Sequence, residues 1–309
     1  MMFKNSFKYY RSRSSFSDLK DVIDLNKPNC SRVIRFKGNL SNTNSEHKLG
    51  LKPVKDWEVY EFLDIPGLIF IKNPFTNYGQ RYWIIQCIKH YSRKPYKINL
   101  DAHNVLEEDK TWWDTCFGES DQVIKLIPKL RWATLGYHHD WDTKLYSETC
   151  KTKMPTELTA LTSVLAQTLG FMNFKAEAAI VNYYRMNSSL SGHTDHSEIN
   201  TEAPLFSISF GQTAIFLIGG LTQDDAANAM YLRSGDIVIM SGNSRLRYHG
   251  VPKILPADTI PWDDEEANDN SDCCTWDEND WNKAKTYILK ARININVRQV
   301  LKPGQLALP

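Results

Sequence analysis

Residues 291–298 read ARININVR, and the alternation along these eight positions decides the architecture. Arg292, Asn294, Asn296 and Arg298 take the even positions, while Ile293, Ile295 and Val297 take the odd ones. Successive side chains of a strand point to opposite faces, so this strand has one polar and one apolar face. With the polar face toward solvent it is a basic surface strand. With that face inside a barrel, two buried arginines are costly unless anions pair with them. A dicarboxylate would satisfy both, because a planar guanidinium forms bidentate, charge-assisted bonds to carboxylate.

The stretches before it have the same texture. AAIVNYYRM, LFSISFGQTAIFLIGG and GDIVIMSG are short, β-branched or aromatic, and separated by turn residues. Phe206, Ile208 and Phe210 alternate with Ser207 and Ser209, the period of a half-buried strand. GDIVIM is apolar on both faces and reads as a central strand. Further upstream, GLIFIKNPF (67–75) predicts a strand ending in a turn. Helices are predicted over 77–94, over 156–171 with Thr156 as cap and Gly170 as stop, and near 281–290. Helices followed by many short strands predict an α+β fold, a jelly-roll core backed by N-terminal helices.

Bulk properties narrow the function. The 309 residues are 42% apolar and 24% charged, with no apolar run long enough to span a bilayer. The net charge of +1 conceals ten acidic residues between Ala257 and Trp281; the rest of the chain carries 37 basic against 26 acidic residues, a net of +11. Such a bias suits a polyanionic partner such as nucleic acid. The acidic stretch lacks the glycine and ligand order of an EF-hand loop and reads as a solvated insertion. Six cysteines show no CxxC pair or disulfide framework, so reduced thiols in an intracellular compartment are expected. Phe3, Phe7 and Tyr10 recur at helical spacing among Lys4, Lys8, Arg11 and Arg13, which predicts a basic amphipathic helix. It suits a mitochondrial presequence, a nucleic-acid-contacting arm or a helix packed on the domain. The division expected is a basic extension over 1–60 and a catalytic domain over 61–309, with the acidic insertion at about 256–281.

The chemistry concentrates in SGHTDHSE (191–198). His193 and Asp195 are one residue apart and share a face of an extended backbone, so both reach one metal. His249, after the turn that follows GDIVIM, is the best-placed third ligand. Two histidines and one carboxylate form the facial triad of non-haem Fe(II) oxygenases, and zinc accepts the same set. His196 and Glu198 have odd parity relative to His193 and turn away, His196 toward solvent or a substrate rim and Glu198 to a structural hydrogen bond. His138 and His139 read as surface histidines, and Trp112-Trp113 as helix packing.

Four separated motifs now match in order and spacing: Asn182-Tyr183-Tyr184, His193-Thr194-Asp195, Gly235-Asp236 leading to Ser244-Arg245-Leu246 and Tyr248-His249-Gly250, and Arg292-Ile293-Asn294 to Arg298. Together they resemble the AlkB-type Fe(II)/2-oxoglutarate dioxygenases. KLRWATLGYHHDWDTKLY and the long N-terminal segment resemble the AlkB homologue 1 branch in particular. The resemblance implies a double-stranded β-helix, with His193, Asp195 and His249 holding Fe(II). Arg292 would grip the distal carboxylate of 2-oxoglutarate and Arg298 would lie beside its chelating end. Asn182, Tyr184, Ser244 and Asn294 would complete that pocket, and Trp132, Tyr137 and Arg245 would face the substrate, Trp132 by stacking on the target base.

The implied activity consumes 2-oxoglutarate and O₂ and hydroxylates a methyl group, which on nitrogen leaves as formaldehyde. Methyladenine in DNA and methylated bases in tRNA are the implied substrates, with unpaired or structured single strands favoured because a base must leave its stack. A protein (histone) demethylase or hydroxylase and a non-catalytic nucleic-acid-binding module are the alternatives. Two departures stand out: the longer interval from His249 to Arg292, and Ser197 where some members carry a base-reading acid. A monomer without membrane attachment is expected, in nucleus, mitochondrion or cytoplasm.

Overall fold

The computed structural model describes residues 1–12, 19–27, 31–42, 46–103, 105–118, 126–263 and 275–309. The acidic insertion is thus described only at its two ends, and Cys30, Cys273 and Cys274 lie outside the described residues. In chain order the strands are β1 (Val33–Arg35), β2 (Glu58–Phe62), β3 (Leu68–Lys72), β4 (Lys97–Ile98), β5 (Trp132–Gly136), β6 (Ala178–Arg185) and β7 (Leu190–His193). They continue as β8 (Leu205–Gly211), β9 (Thr213–Ile218), β10 (Asn228–Leu232), β11 (Ile237–Met240), β12 (His249–Leu255) and β13 (Ala291–Arg298). The helices are α1 (Met2–Ser12), α2 (Asn77–Ile85), α3 (Trp112–Phe117), α4 (Thr156–Thr168) and α5 (Glu278–Ile288).

Strands β6 to β13 wind between two antiparallel sheets. The larger runs β1-β2-β3-β11-β8-β13-β6-β5-β4 and the smaller β10-β9-β12-β7. The roll therefore places β6, β8, β11 and β13 opposite β7, β9, β10 and β12, the jelly roll expected from the alternating strands. β13 lies between β6 and β8, with Arg292 opposite Tyr184 and Gly211. Its odd residues Ile293, Ile295 and Val297 pack outward with Phe206, Ile208 and Phe210 against α2, α4 and α5. Each such burial contributes about 1.5–3 kcal/mol, so the apolar face fixes the register and turns the polar face into the roll. GDIVIM is central as expected, with β11 between β3 and β8.

Local details adjust the sequence reading. Thr156 is the first residue of α4 and not its cap; Pro155 occupies the cap position and supplies no side-chain acceptor. α5 begins at Glu278, earlier than periodicity suggested, because the Asp277 side chain accepts from the backbone N–H groups of Asn279 and Asp280. Trp112 and Trp113 are buried and pack as expected.

The described parts of the first sixty residues are woven into the roll. β1 and the beginning of β2 extend the larger sheet, and Ile23 bridges to Met230. Phe3 and Tyr10 of α1 are buried with Ile215, Leu217 and Tyr231 on the outer face of the smaller sheet. The Phe3 ring sits in a notch made by two glycines. A Cβ on Gly219 would stand 2.8 Å from Phe3 Cδ2, and one on Gly192 would intrude still further on the ring edge. Gly192 immediately precedes His193, and Tyr248, whose ring centroid is 6.1 Å from that of Phe3, immediately precedes His249.

A Gly192→Ala substitution should therefore push Phe3 out of its notch. Overpacking of this kind costs about 1–3 kcal/mol. The expected result is faster tryptic cleavage at Lys4, Lys8 and Arg11 and a lower midpoint of thermal unfolding. Cleavage at the wild-type rate would show that the notch does not hold the helix.

Candidate active site

β7 ends and β12 begins at the same level of the smaller sheet, and the register sets His249 directly opposite His193. Asp195 follows two residues after β7. One ligand atom from each of the three side chains falls within 4.8 Å of the others. His193 Nε2 is 3.7 Å from Asp195 Oδ1, and His249 Nε2 is 3.6 Å from Asp195 Oδ2. On the far side of each ring, Nδ1 lies 2.9 Å from the Ser191 carbonyl and 3.0 Å from the Arg247 carbonyl, respectively. A carbonyl only accepts, so both Nδ1 atoms carry a proton and both Nε2 atoms face the carboxylate. This is how metal-binding imidazoles are oriented. Burial and His249 push the His193 imidazole down to about 4, against the pull of Asp195. The donor set thus fits a divalent first-row metal with open positions.

Asp195 is held anionic. Burial alone would raise its carboxyl, but Arg298 at 2.8 Å and the two histidines hold it well below the ordinary carboxylate range. Arg298 also lies 3.3 Å from Glu198 Oε1 and donates to the Tyr146 hydroxyl at 3.3 Å. Glu198 in turn receives Arg245 at 2.9 Å. The Arg245 Nη1 donates to the Asp195 carbonyl at 2.6 Å and its Nε to the Ala203 carbonyl at 3.0 Å. Two buried cations balance the buried Glu198 and the half-buried Asp195, and together they clamp the segment 195–203 beside the ligands.

Arg292 is different. It is 1% exposed and lines a cavity together with His193, His249, Tyr184, Asn294, Ser207 and other residues. Its Nη1 donates to the carbonyls of Leu232 (3.1 Å) and Gln212 (3.3 Å), and its Nη2 to Ser209 Oγ at 2.8 Å. Its Nε has no partner among the described residues, and no carboxylate among them forms an ion pair with it. Burial depresses the guanidinium to about 10. A buried cation solvated only by neutral acceptors, with one donor unused, fits an anionic ligand in this cavity. The reading of β13 as a basic surface strand is excluded.

The remaining site residues divide. Tyr184, whose hydroxyl burial pushes up to about 12, lines the cavity with Asn294, whose Nδ2 donates to Ser207 Oγ at 2.9 Å. Asn182 is half-buried opposite Asn294 on one side and Trp132 on the other. Trp132 is half-buried and packs on Trp141. Ser244 does not reach the cavity: it closes a turn, accepting from Ser241 N–H and donating to the Ser241 carbonyl. Arg245, expected at the substrate, is buried, and the clamp just described uses its guanidinium. Tyr137 is buried beside Ala178, Val300 and Leu301, and its hydroxyl donates to Glu148 at 2.6 Å. His138 is buried with Nδ1 2.8 Å from Thr134 Oγ1, and His139 is half-buried, so neither is the surface histidine expected. His196 is exposed and Glu198 buried, as their parity implied. Ser207, Ser209 and Tyr146 were not singled out from the sequence. The serine alternation in β8 was the available signal for the first two.

The model of the 2OG-Fe(II) oxygenase superfamily matches residues 67–298. The chain is 41% identical to the nucleic acid dioxygenase ALKBH1 of Mus musculus, over 98% of this chain and 85% of that one. It is 31% identical to the tRNA demethylase abh1 of Schizosaccharomyces pombe, over 97% of this chain and 95% of that one. Among solved structures, OsALKBH1 superposes with a TM-score of 0.51 at 21% identity, over 76% of this chain and 97% of that one, a likeness of fold.

Replacing Arg245 with Met keeps the bulk but strips Glu198 of one cation and Asp195 of its carbonyl clamp. Breaking a buried pair in this way costs about 3–5 kcal/mol. Thermal unfolding should fall accordingly and Mn(II) affinity should weaken, although Arg245 lies outside the cavity. Unchanged values for both would remove Arg245 from the support of the site.

Proposed function

The chain belongs to the 2OG-Fe(II) oxygenase superfamily, within its AlkB homologue 1 branch, and from that premise we propose that it oxidatively demethylates methylated bases in nucleic acid. The substrate classes are tRNA and methyladenine in DNA, with unpaired or structured single strands favoured over perfect duplex. Arg292 carries the reading: a buried guanidinium without a counter-anion, in the cavity lined by both ligand histidines.

His193, Asp195 and His249 would hold Fe(II), which when bound couples oxidative decarboxylation of 2-oxoglutarate by O₂ to hydroxylation of a methyl group. Arg292 supplies the positive end of the cavity and binds the distal carboxylate of the cosubstrate. Asn294, fixed by Ser207 and by the Ile208 carbonyl at 3.2 Å, and Tyr184 orient the ligand from the cavity wall. Arg298 keeps Asp195 deprotonated and aimed, so the carboxylate is available without a proton to expel. The apolar lining of Leu205, Phe216, Leu232, Met240 and Val251 limits water around the reacting groups.

Trp132, beside Asn182 at the edge of the roll, offers an aromatic face to a base that has left its stack, a step cheapest in unpaired strands. The net +11 outside the acidic stretch supports a polyanionic substrate over a basic histone tail. The metal, anion and Trp132 positions all come from one copy of the chain, so a monomer would suffice for the reaction. The apolar face of α1 is spent on the smaller sheet, which supports reading that helix as part of the domain.

A panel of methylated tRNA fragments and single- and double-stranded DNA oligonucleotides, followed by mass spectrometry, tests the proposal. Iron- and 2-oxoglutarate-dependent loss of methyl from at least one unpaired substrate is expected, with loss of at least a hundredfold in turnover for His193→Ala, on the order of removing several kcal/mol of barrier stabilisation. Full turnover by that variant would overturn the site assignment. No demethylation of any nucleic acid by the wild type would overturn the substrate assignment.

A further inference from the structure

Trp141 is the exposed member of a row of rings that leads to the metal ligands. It is 45% exposed, yet its position is tightly specified. The preceding Asp140 accepts the backbone N–H groups of Asp142 (2.9 Å) and Thr143 (2.8 Å) with its side chain. The Asp140 carbonyl accepts from Lys144 at 2.8 Å, its N–H donates to the Leu145 carbonyl at 3.1 Å, and Lys144 closes the turn with a φ of +59°. The Trp141 ring packs against Trp132, with centroids 5.0 Å apart and planes tilted by 42°. It also meets His139 at 4.8 Å, and His139 meets Tyr146 edge-on at 5.5 Å. His139 Nε2 lies 3.1 Å from Ser197 Oγ, two residues beyond Asp195. The row is thus tied at one end to β5 and at the other to the segment that carries the carboxylate ligand.

We infer that Trp141 is a stacking platform for the unpaired base adjacent to the target base, an assignment that rests on the nucleic-acid reading above. Trp132 and Trp141 are already at contact distance for aromatic rings, so no base fits between them. What Trp141 presents is its solvent-facing surface. Asp140 and Asp142 flank it, so phosphate attraction does not arise at the ring itself. Two exposed cations lie nearby in sequence: Arg131 adjoins Trp132, and its charge is felt at the Tyr184 hydroxyl that lines the cavity, while Lys144 lies in the turn that carries Trp141. An exposed aromatic face is what a single-strand site uses, where bases stack without sequence preference. A ring serving only to cover Trp132 would be replaceable by any apolar side chain. A platform requires a π face.

The test uses the full chain loaded with Mn(II) and 2-oxoglutarate under anaerobic conditions, and fluorescence anisotropy. The probes are two single-stranded DNA octamers with one 1-methyladenine, one with normal flanking bases and one with abasic flanks. For the normal octamer, Trp141→Ala should raise Kd roughly 5- to 100-fold, the range of one base–aromatic stack, and Trp141→Leu should do the same. Trp141→Phe should stay within about threefold, since it keeps the π face. Abasic flanks should weaken wild-type binding by a similar factor and add no further loss in Trp141→Ala. If the wild type binds and Trp141→Leu matches it, or if the abasic and Trp141→Ala losses multiply, the platform is overturned while the nucleic-acid reading stands. If the wild type binds neither octamer, both fall.

Discussion

A guanidinium buried without a counter-charge is the constraint on which the interior of this roll depends. Arg292 sits where β13 crosses between β6 and β8, and its position follows from Ile293, Ile295 and Val297 packing on the opposite face. The apolar face cannot be buried without driving the arginine inward. Two carbonyls and a serine hydroxyl solvate it partly. Asp236, the carboxylate whose charge it feels, is itself pushed up to about 7 by burial and accepts two backbone N–H groups. An anion entering the cavity supplies what the fold withholds, and protein stability is in this way exchanged for affinity.

The other two buried arginines behave in the opposite way. Arg298 and Arg245 are paired with Asp195 and Glu198, and their task is rigidity. The ligand carboxylate is fixed from behind by Arg298 and through its own backbone by Arg245. The histidines are fixed by carbonyls two residues before each of them. α1 adds support from outside the sheet, with Phe3 pressed against Gly192 and close to Tyr248. The metal positions are therefore set before any metal arrives.

Much of this was legible in the sequence, and what was not has a common cause. Alternation along ARININVR and LFSISFG gave strands and faces, because the period of two is a local property. The same parity correctly sent His196 outward and Glu198 to a structural bond. Ser244, Arg245 and Tyr137 have partners that the sequence did not reveal, because neighbourhood to a motif does not determine which group claims a side chain. Ser244 is claimed by its own turn, Arg245 by Glu198 and Tyr137 by Glu148. Ser207 and Ser209 matter because Asn294 and Arg292 arrive from a strand more than eighty residues away; alternation along β8 marks their face but not these partners. His138 is buried just past the end of β5, where Thr134 of that strand offers its Nδ1 a partner.

The most direct test is calorimetric, comparing 2-oxoglutarate with 2-oxovalerate, which has the same chain length but no distal carboxylate, each titrated into the Mn(II)-loaded protein. If Arg292 is an unpaired charge awaiting a carboxylate, the wild type binds 2-oxoglutarate at least tenfold more tightly, on the order of one charge-assisted hydrogen bond. Arg292→Met should then bind both acids with the same, weaker affinity. An equal preference for 2-oxoglutarate in wild type and Arg292→Met would contradict the account.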